Sequence, residues 1–126
     1  MHILLWVLQV LLALAFLAHG WIMLFPPPEM IDQINASIAP ALRIFIGVAE
    51  WLAAVGLTLP GITRIMPWLV PWAAAGLMVV MICATVFHVM RNEMMSALTT
   101  AILFALITFV AYMRWKPLPI RPRVNV

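Results

Sequence analysis

The stretch RIFIGVAEWLAAVGLTLP, residues 43–60, decides how the rest of the chain is interpreted. It is apolar almost throughout, yet it begins with Arg43 and carries Glu50 near its middle. A run of about 20 apolar residues spans a bilayer as a helix, and a charged side chain near the centre costs several kcal/mol unless it is paired or neutralised. Position 50 lies about nine residues into its span, which is roughly 13 Å along a helix. We therefore expect Glu50 to face the interior of a helix bundle and to have partners there.

The composition of the whole chain indicates an integral membrane protein. Hydrophobic residues make up 67% of the 126 residues and charged residues 9%, against about 45–50% and about 25% in soluble domains. The net charge of +3 comes from a few dispersed Lys and Arg residues. Without a basic face or a Gly-rich phosphate loop, this charge does not indicate binding to nucleic acid or nucleotides. The one cysteine, Cys83, can form neither an internal disulfide nor a CxxC pair.

Apolar runs separated by helix breakers predict four transmembrane helices. The predicted spans are 3–25, 41–59, 67–90 and 94–114. The first span has no Lys or Arg before it and continues past the Ala-Leu-Ala at 13–15, so we expect a span and not a signal peptide. Residues 26–40 form a loop with room for a short surface helix, and Pro60 and Gly61 are expected to end the second span. Residues 115–126 form a Pro-rich basic tail.

The distribution of charge predicts the orientation of this all-α four-helix bundle. We call the membrane face with the loop at 26–40 and the turn at 91–93 side A, and the face with both termini and the loop at 61–66 side B. Lys and Arg number five on side B and two on side A, and the positive-inside rule places the more basic side in the cytoplasm. The basic residues of side B are Arg64, Arg114, Lys116, Arg121 and Arg123. We therefore expect a single transmembrane domain, residues 1–126, in a cell membrane such as a bacterial inner membrane, with both termini cytoplasmic.

The ionisable residues within the spans converge on side A. His19 lies six residues before the predicted side A end of the first span, and His88 lies at the side A end of the third. Arg43 precedes Glu50 by seven residues, or two helical turns, on the same helix face. These positions predict a polar pocket that opens towards side A, and we expect hardly any ionisable residue in the side B half of the interior. The candidate pocket residues are His19, Arg43, Glu50 and His88, with Arg91 and Glu93 at the rim.

In these residues the chain resembles the DoxX-like family of small four-helix membrane proteins. AHGW at 18–21 is similar to the small-residue turn that ends the family's first span, and residues 43–60 resemble its R-x3-G-x2-E…G-L-x-x-P second span. AAAGLMVVMICATVFHVMRNE at 73–93 resembles its third span. Members of the family resemble a subunit of thiosulfate:quinone oxidoreductase, parts of membrane oxidoreductase complexes, and assembly chaperones. The resemblance implies the four-helix fold and a place in a membrane complex.

Two functions are consistent with these features. The first is an accessory or assembly subunit of a larger membrane complex, which the resemblance extends to a redox complex. Its partners would be the lipid bilayer and other membrane subunits or a second copy of the chain, and we do not expect this chain to be an enzyme on its own. The alternative is binding or redox chemistry of a quinone-like hydrophobic molecule in the side A pocket, where Glu50 would exchange the proton and the histidines would hydrogen-bond the carbonyl oxygens.

Other interpretations of the polar residues rest on weaker signals. A haem between His19 and His88, or a metal centre of these two histidines with Glu50, is imaginable, but two histidines on different helices are a weak signal and we predict no metal site. A transporter would need an alternating-access repeat, which is not evident. A purely structural role also stays open: Glu50 would hold the bundle together through Arg43 or a histidine, while Arg91 and Glu93 would be solvated turn residues.

Overall fold

A computed structural model describes residues 1–123 of the chain, and all regular structure in this part is helical. The five helices are α1 (His2–Leu24), α2 (Pro28–Ser37), α3 (Pro40–Thr63), α4 (Leu69–Met90) and α5 (Met94–Trp115). All but α2 are long and apolar enough to cross a membrane. The predicted all-α fold with four spanning helices is therefore confirmed. The last residues of the predicted basic tail, 124–126, lie outside the described residues.

The four long helices pack side by side in a ring. Contacts join α1 to α3, α3 to α4, α4 to α5, and α5 back to α1. Only 17% to 33% of the most apolar 18-residue window of each helix is buried within the chain. The outer faces are therefore apolar, as in helices that contact lipid. The ring encloses one apolar core, whose buried residues include Leu12, Phe16, Ala54, Leu57, Leu77, Ile107 and Val110.

Both ends of the described chain lie on side B. His2, the first residue of α1, contacts Arg114 in the last turn of α5. The chain therefore crosses from side B to side A in α1 and α4, and returns in α3 and α5. Which of the two sides faces the cytoplasm stays a prediction.

The loop between the first two spans contains a short surface helix, α2, on side A. Pro28 occupies its first position, where the missing N–H is one that the helix leaves unpaired in any case. None of its residues is buried. Arg91 Nη2, in the α4–α5 turn, donates to Ser37 Oγ at 3.2 Å. This hydrogen bond connects the end of α2 to the neighbouring turn.

The expectation that Pro60 and Gly61 end the second span is wrong, because α3 continues to Thr63. A proline inside a helix costs about 3 kcal/mol in water-soluble helices. Membrane helices tolerate it because neighbouring helices and hydroxyl side chains satisfy the freed backbone groups. Gly61 serves packing, since a Cβ there would lie 2.6 Å from the ring of Trp6. The helix ends at Arg64, which has a left-handed backbone with φ 58°.

The tail after α5 returns to the α3–α4 loop. Arg64 Nε donates to the carbonyl of Arg121 at 2.8 Å, and Arg64 Nη2 to that of Pro122 at 3.2 Å. The backbone N–H of Arg123 donates to the Arg64 carbonyl at 2.8 Å. The described part of the tail is therefore attached to side B of the bundle, which its proline-rich composition did not predict.

Candidate functional site

The crossing of α1 and α3 brings His19 next to Glu50. At this crossing both helices carry glycine, Gly20 in α1 and Gly47 in α3. A Cβ on Gly20 would lie 3.1 Å from the Gly47 carbonyl oxygen, and a Cβ on Gly47 would lie 3.2 Å from the Gly20 carbonyl oxygen. Such contacts are tighter than ordinary van der Waals packing, so the two backbones approach closely because neither residue has a side chain. His19, which directly precedes Gly20, and Glu50, which follows Gly47 by about one helical turn, therefore meet between the two helices.

The His19–Glu50 pair joins a buried carboxylate to a half-exposed imidazole. His19 Nδ1 lies 2.7 Å from Glu50 Oε2 and 3.0 Å from Oε1. The side chain of Glu50 is 1% exposed and that of His19 is 52% exposed. A proton on Nδ1 donated to an ionised Glu50 leaves Nε2 as an acceptor on the other edge of the ring. The pair therefore connects a buried carboxylate to the outer surface of the bundle through an imidazole ring.

Arg43 does not pair with Glu50 in this structure. Its side chain is buried, and Nη1 donates to the carbonyl of Met23 in the last turn of α1. A cation at this position interacts favourably with the negative end of the helix dipole. Arg43 Nε has no hydrogen-bond partner among the described residues. Arg43 therefore stabilises the end of α1 beside the pair and is not the counter-ion of Glu50.

Aromatic side chains lie next to the His19–Glu50 pair, and we call Trp21, Phe25 and Trp51 the aromatic group. Trp21 stacks on Trp51 with ring centroids 6.2 Å apart, and Phe25 lies 4.8 Å from Trp21. Trp51 Nε1 donates to the Leu17 carbonyl at 3.1 Å, which fixes its ring against α1. Trp21 and Phe25 are 56% and 57% exposed. The group therefore offers flat apolar surface on the outside of the bundle.

His88 belongs to a second cluster, at the α4–α5 turn. Its Nδ1 lies 3.3 Å from Glu93 Oε2, and Arg91 Nε donates to Glu93 Oε1 at 2.6 Å. The hydrogen bond from Arg91 is the main cause that lowers the pKa of Glu93 below its usual value of 4.5. The structure thus brings His19 to Glu50 and His88 to Glu93, and it does not join the candidate residues into a single group.

No set of three or more His, Cys, Asp or Glu side chains that could hold a metal ion occurs among residues 1–123. His19, His88 and Glu50 therefore do not form the imagined two-histidine, one-carboxylate set. His19 is paired with Glu50 instead, and His88 with Glu93.

The expectation of hardly any ionisable residue in the side B half of the interior did not foresee a buried polar cluster that contains Arg114. Arg114 and Gln9 are 2% and 0% exposed, and Arg114 Nε donates to Gln9 Oε1 at 2.7 Å. Gln9 Nε2 in turn donates to the Leu57 carbonyl at 2.7 Å. The signal for Gln9 was present, since a lone amide within the apolar run of α1 needs interior partners for the same reason as Glu50. Arg114 was counted only towards the orientation, because its position at the end of a span is typical of a topology signal.

A comparison with protein families gives one match that covers most of the chain. The model of the DoxX-like family matches residues 7–110, which include all of α3 and α4, and α1 and α5 except their ends on side B. No curated protein and no solved structure gives a significant match. The match includes His19, Arg43, Glu50 and His88, so both clusters on side A lie within the part of the chain that the family describes.

Proposed function

Because the chain belongs to the DoxX-like family, we propose that it is an accessory or assembly subunit of a larger membrane complex, for which a redox complex is one candidate. The observation that carries this proposal is the half-exposed ring of His19 on the outside of a spanning helix. His19 lies five residues from the end of α1, which is roughly 8 Å of helix. At this depth an exposed imidazole edge meets lipid, where an unsatisfied polar group is costly.

A neighbouring subunit would satisfy this group. A hydrogen-bonding side chain of the partner would engage Nε2 of His19, while Nδ1 remains on Glu50. The exposed rings of Trp21 and Phe25 supply the type of flat aromatic surface that is enriched at the centre of protein interfaces. We therefore expect an interface in which the partner contacts Nε2 of His19 and packs on the rings of Trp21 and Phe25.

Recovery of partner subunits tests the proposal. Tagged protein would be purified in native lipid, and co-purifying membrane proteins would be quantified for wild type, His19→Gln and Met95→Ala. His19→Gln keeps an N–H donor for Glu50 but removes the imidazole edge, whereas Met95→Ala removes an exposed apolar side chain from α5 on the same side. We expect recovery of the partner to fall for His19→Gln alone. Equal recovery from all three proteins would contradict the proposal.

A second candidate function, binding of a quinone-like molecule, is favoured by one observation, the connection of a buried carboxylate to the surface through an imidazole. A quinone carbonyl oxygen accepts a hydrogen bond, which His19 Nε2 would donate when both ring nitrogens carry a proton and Glu50 is the counter-ion at Nδ1. The aromatic group would stack on the ring of the ligand. A bound quinone would occupy the same surface that a partner subunit would cover if the chain is an accessory subunit.

A binding measurement separates the two versions. Trp21 and Trp51 lie close enough to the pair to report a bound quinone by fluorescence quenching. We expect a short-chain quinone to bind wild type and to lose affinity in Glu50→Gln. The matched control is Glu93→Gln, which removes another histidine-bonded carboxylate at the α4–α5 turn. Equal affinity of all three proteins, or no binding at all, would leave the accessory subunit as the better proposal.

A further inference from the structure

A cavity of about 290 Å³ lies at the side B end of the bundle. Trp68, Trp72 and Trp115 line it together with Arg114, and the tail residues Pro119, Ile120 and Pro122 complete its wall. Trp72 and Trp115 are in edge-to-face contact, with ring centroids 5.3 Å apart. The lining is thus mostly aromatic and apolar, with a single charged side chain. Tryptophans at the ends of spanning helices are typical of the level of the lipid head groups.

The guanidinium of Arg114 has only neutral partners. Nε donates to Gln9 Oε1, Nη1 lies 2.9 Å from His2 Nδ1, and Nη1 also donates to the carbonyl of Leu118 at 3.1 Å. Its central carbon lies 5.4 Å from the ring centroid of Trp6. Nη2 is buried and has no hydrogen-bond partner among residues 1–123. A side chain that is 2% exposed thus carries a full positive charge and an Nη2 group whose N–H donors have no acceptor.

No acidic side chain on side B neutralises this charge. The chain has four Asp and Glu residues, and all of them lie in α2, in the side A half of α3, or in the α4–α5 turn. The other basic residues of side B add positive potential. A buried charge is costly unless it is paired, and no acidic side chain among residues 1–123 pairs with Arg114.

We propose that this cavity binds the phosphate of an anionic phospholipid from the side B leaflet, with Arg114 as its principal contact. Guanidinium groups match the geometry of phosphate oxygens, and basic pockets between spanning helices bind anionic head groups. The indole walls favour an amphiphile over a free ion, because they would cover the glycerol and upper acyl carbons. The lipid then acts as the counter-ion that holds α1, α5 and the tail together.

Lipid retention by the full-length protein tests the proposal. The protein would be delipidated in neutral detergent and titrated with phosphatidylglycerol, with phosphatidylcholine, and with inorganic phosphate, and bound lipid would be counted by native mass spectrometry. We expect phosphatidylglycerol to bind about tenfold or more tightly than phosphatidylcholine, because both lipids carry the phosphate but the choline cation opposes the positive charge of Arg114. Equal binding of the two lipids would overturn the proposal. Displacement of phosphatidylglycerol by equimolar inorganic phosphate would overturn the assignment to a lipid.

Variants distinguish a defined site from diffuse attraction. We expect Arg114→Gln to lose the preference for phosphatidylglycerol, whereas Lys116→Gln, which removes an exposed cation two residues away, keeps it. If both variants lost the preference for phosphatidylglycerol equally, the preference would come from general electrostatic attraction, and the proposed site would be wrong. If Arg114→Gln does not fold, tryptophan fluorescence of the wild type tests the proposal. We expect brominated phosphatidylglycerol to quench it more strongly than brominated phosphatidylcholine does, and equal quenching would overturn the proposal.

Discussion

At the scale of single residues, the partner of Glu50 illustrates what a sequence can and cannot provide. Its burial follows from depth, because a carboxylate in the middle of an apolar run must avoid lipid. Arg43 shares its helix face, yet seven residues correspond to about 10 Å of rise, and the guanidinium extends to the Met23 carbonyl instead. His19 becomes the partner because Gly20 and Gly47 set where α1 crosses α3. That crossing is a tertiary property that no single span encodes.

Removal of the Glu50 carboxylate should destabilise the bundle. In Glu50→Ala, His19 Nδ1 loses its acceptor and a void replaces a side chain that is 1% exposed. We expect the free energy of unfolding to fall by roughly 1–3 kcal/mol. Glu50→Gln should retain most of the stability because the amide oxygen still accepts from Nδ1–H. Unfolding titrations in detergent measure both variants, and an Ala variant as stable as wild type would contradict the interpretation of the pair.

The stabilising effect of Glu93 should depend on pH. Arg91 lowers the pKa of Glu93 in the folded protein from its usual 4.5, so the ionised carboxylate stabilises the folded state. This contribution is complete above the unfolded pKa of about 4.5 and is lost as the pH falls through the lowered folded pKa. We expect wild type to melt above Glu93→Gln at neutral pH and the difference to disappear in acid. A difference in melting temperature that persists unchanged in strong acid would exclude this linkage.

At the scale of helices, the glycines of the spanning helices differ in their importance for packing. A Cβ on Gly56 would lie 2.8 Å from Ala73 Cβ, which marks the contact of α3 with α4, whereas a Cβ on Gly76 would meet nothing within 4 Å. The sequence identifies both glycines as small but cannot tell which one faces a neighbour. Pro60 is a similar case. A proline usually ends a helix in water-soluble proteins, but Pro60 lies inside α3.

Gly20→Ala should disrupt the α1–α3 crossing. The added methyl would lie 2.5 Å from Trp51 Cδ1 and 3.1 Å from the Gly47 carbonyl oxygen, and neither a backbone atom nor a packed indole moves easily. We expect a loss of about 1–3 kcal/mol in the free energy of unfolding, as in other overpacked sites.

Gly76→Ala is the matched control for this substitution. It adds the same methyl to a spanning helix where there is open space, and we expect no loss or a gain of about 0.5–1 kcal/mol from lower backbone entropy in the unfolded chain. If the two variants had the same stability in detergent unfolding, the crossing would not depend on Gly20.

At the scale of the whole molecule, the polar residues are divided between the two membrane faces. The positions of the ionisable residues along the spans predict that they converge on side A, but not that they divide into two clusters there. The side B cluster combines an amide and a guanidinium that are 105 residues apart in the chain, and only the closure of the ring between α1 and α5 brings them together. Hence the number of spans and the approximate ends were predictable from hydropathy, and the pairing of residues across helices was not.

The orientation of the bundle in the membrane rests on this distribution of charge and can be measured directly. With Cys83 replaced by Ser, single cysteines would be introduced as Gln33→Cys in α2 and Lys116→Cys after α5, both at exposed positions on opposite sides. Five basic residues on side B against two on side A favour retention of side B in the cytoplasm. A membrane-impermeant maleimide applied to intact cells should therefore label Gln33→Cys and leave Lys116→Cys unlabelled until the cells are opened. Labelling of Lys116→Cys from outside would contradict this orientation and place side B outside the cell. The phospholipid proposed for Arg114 would then belong to the outer leaflet.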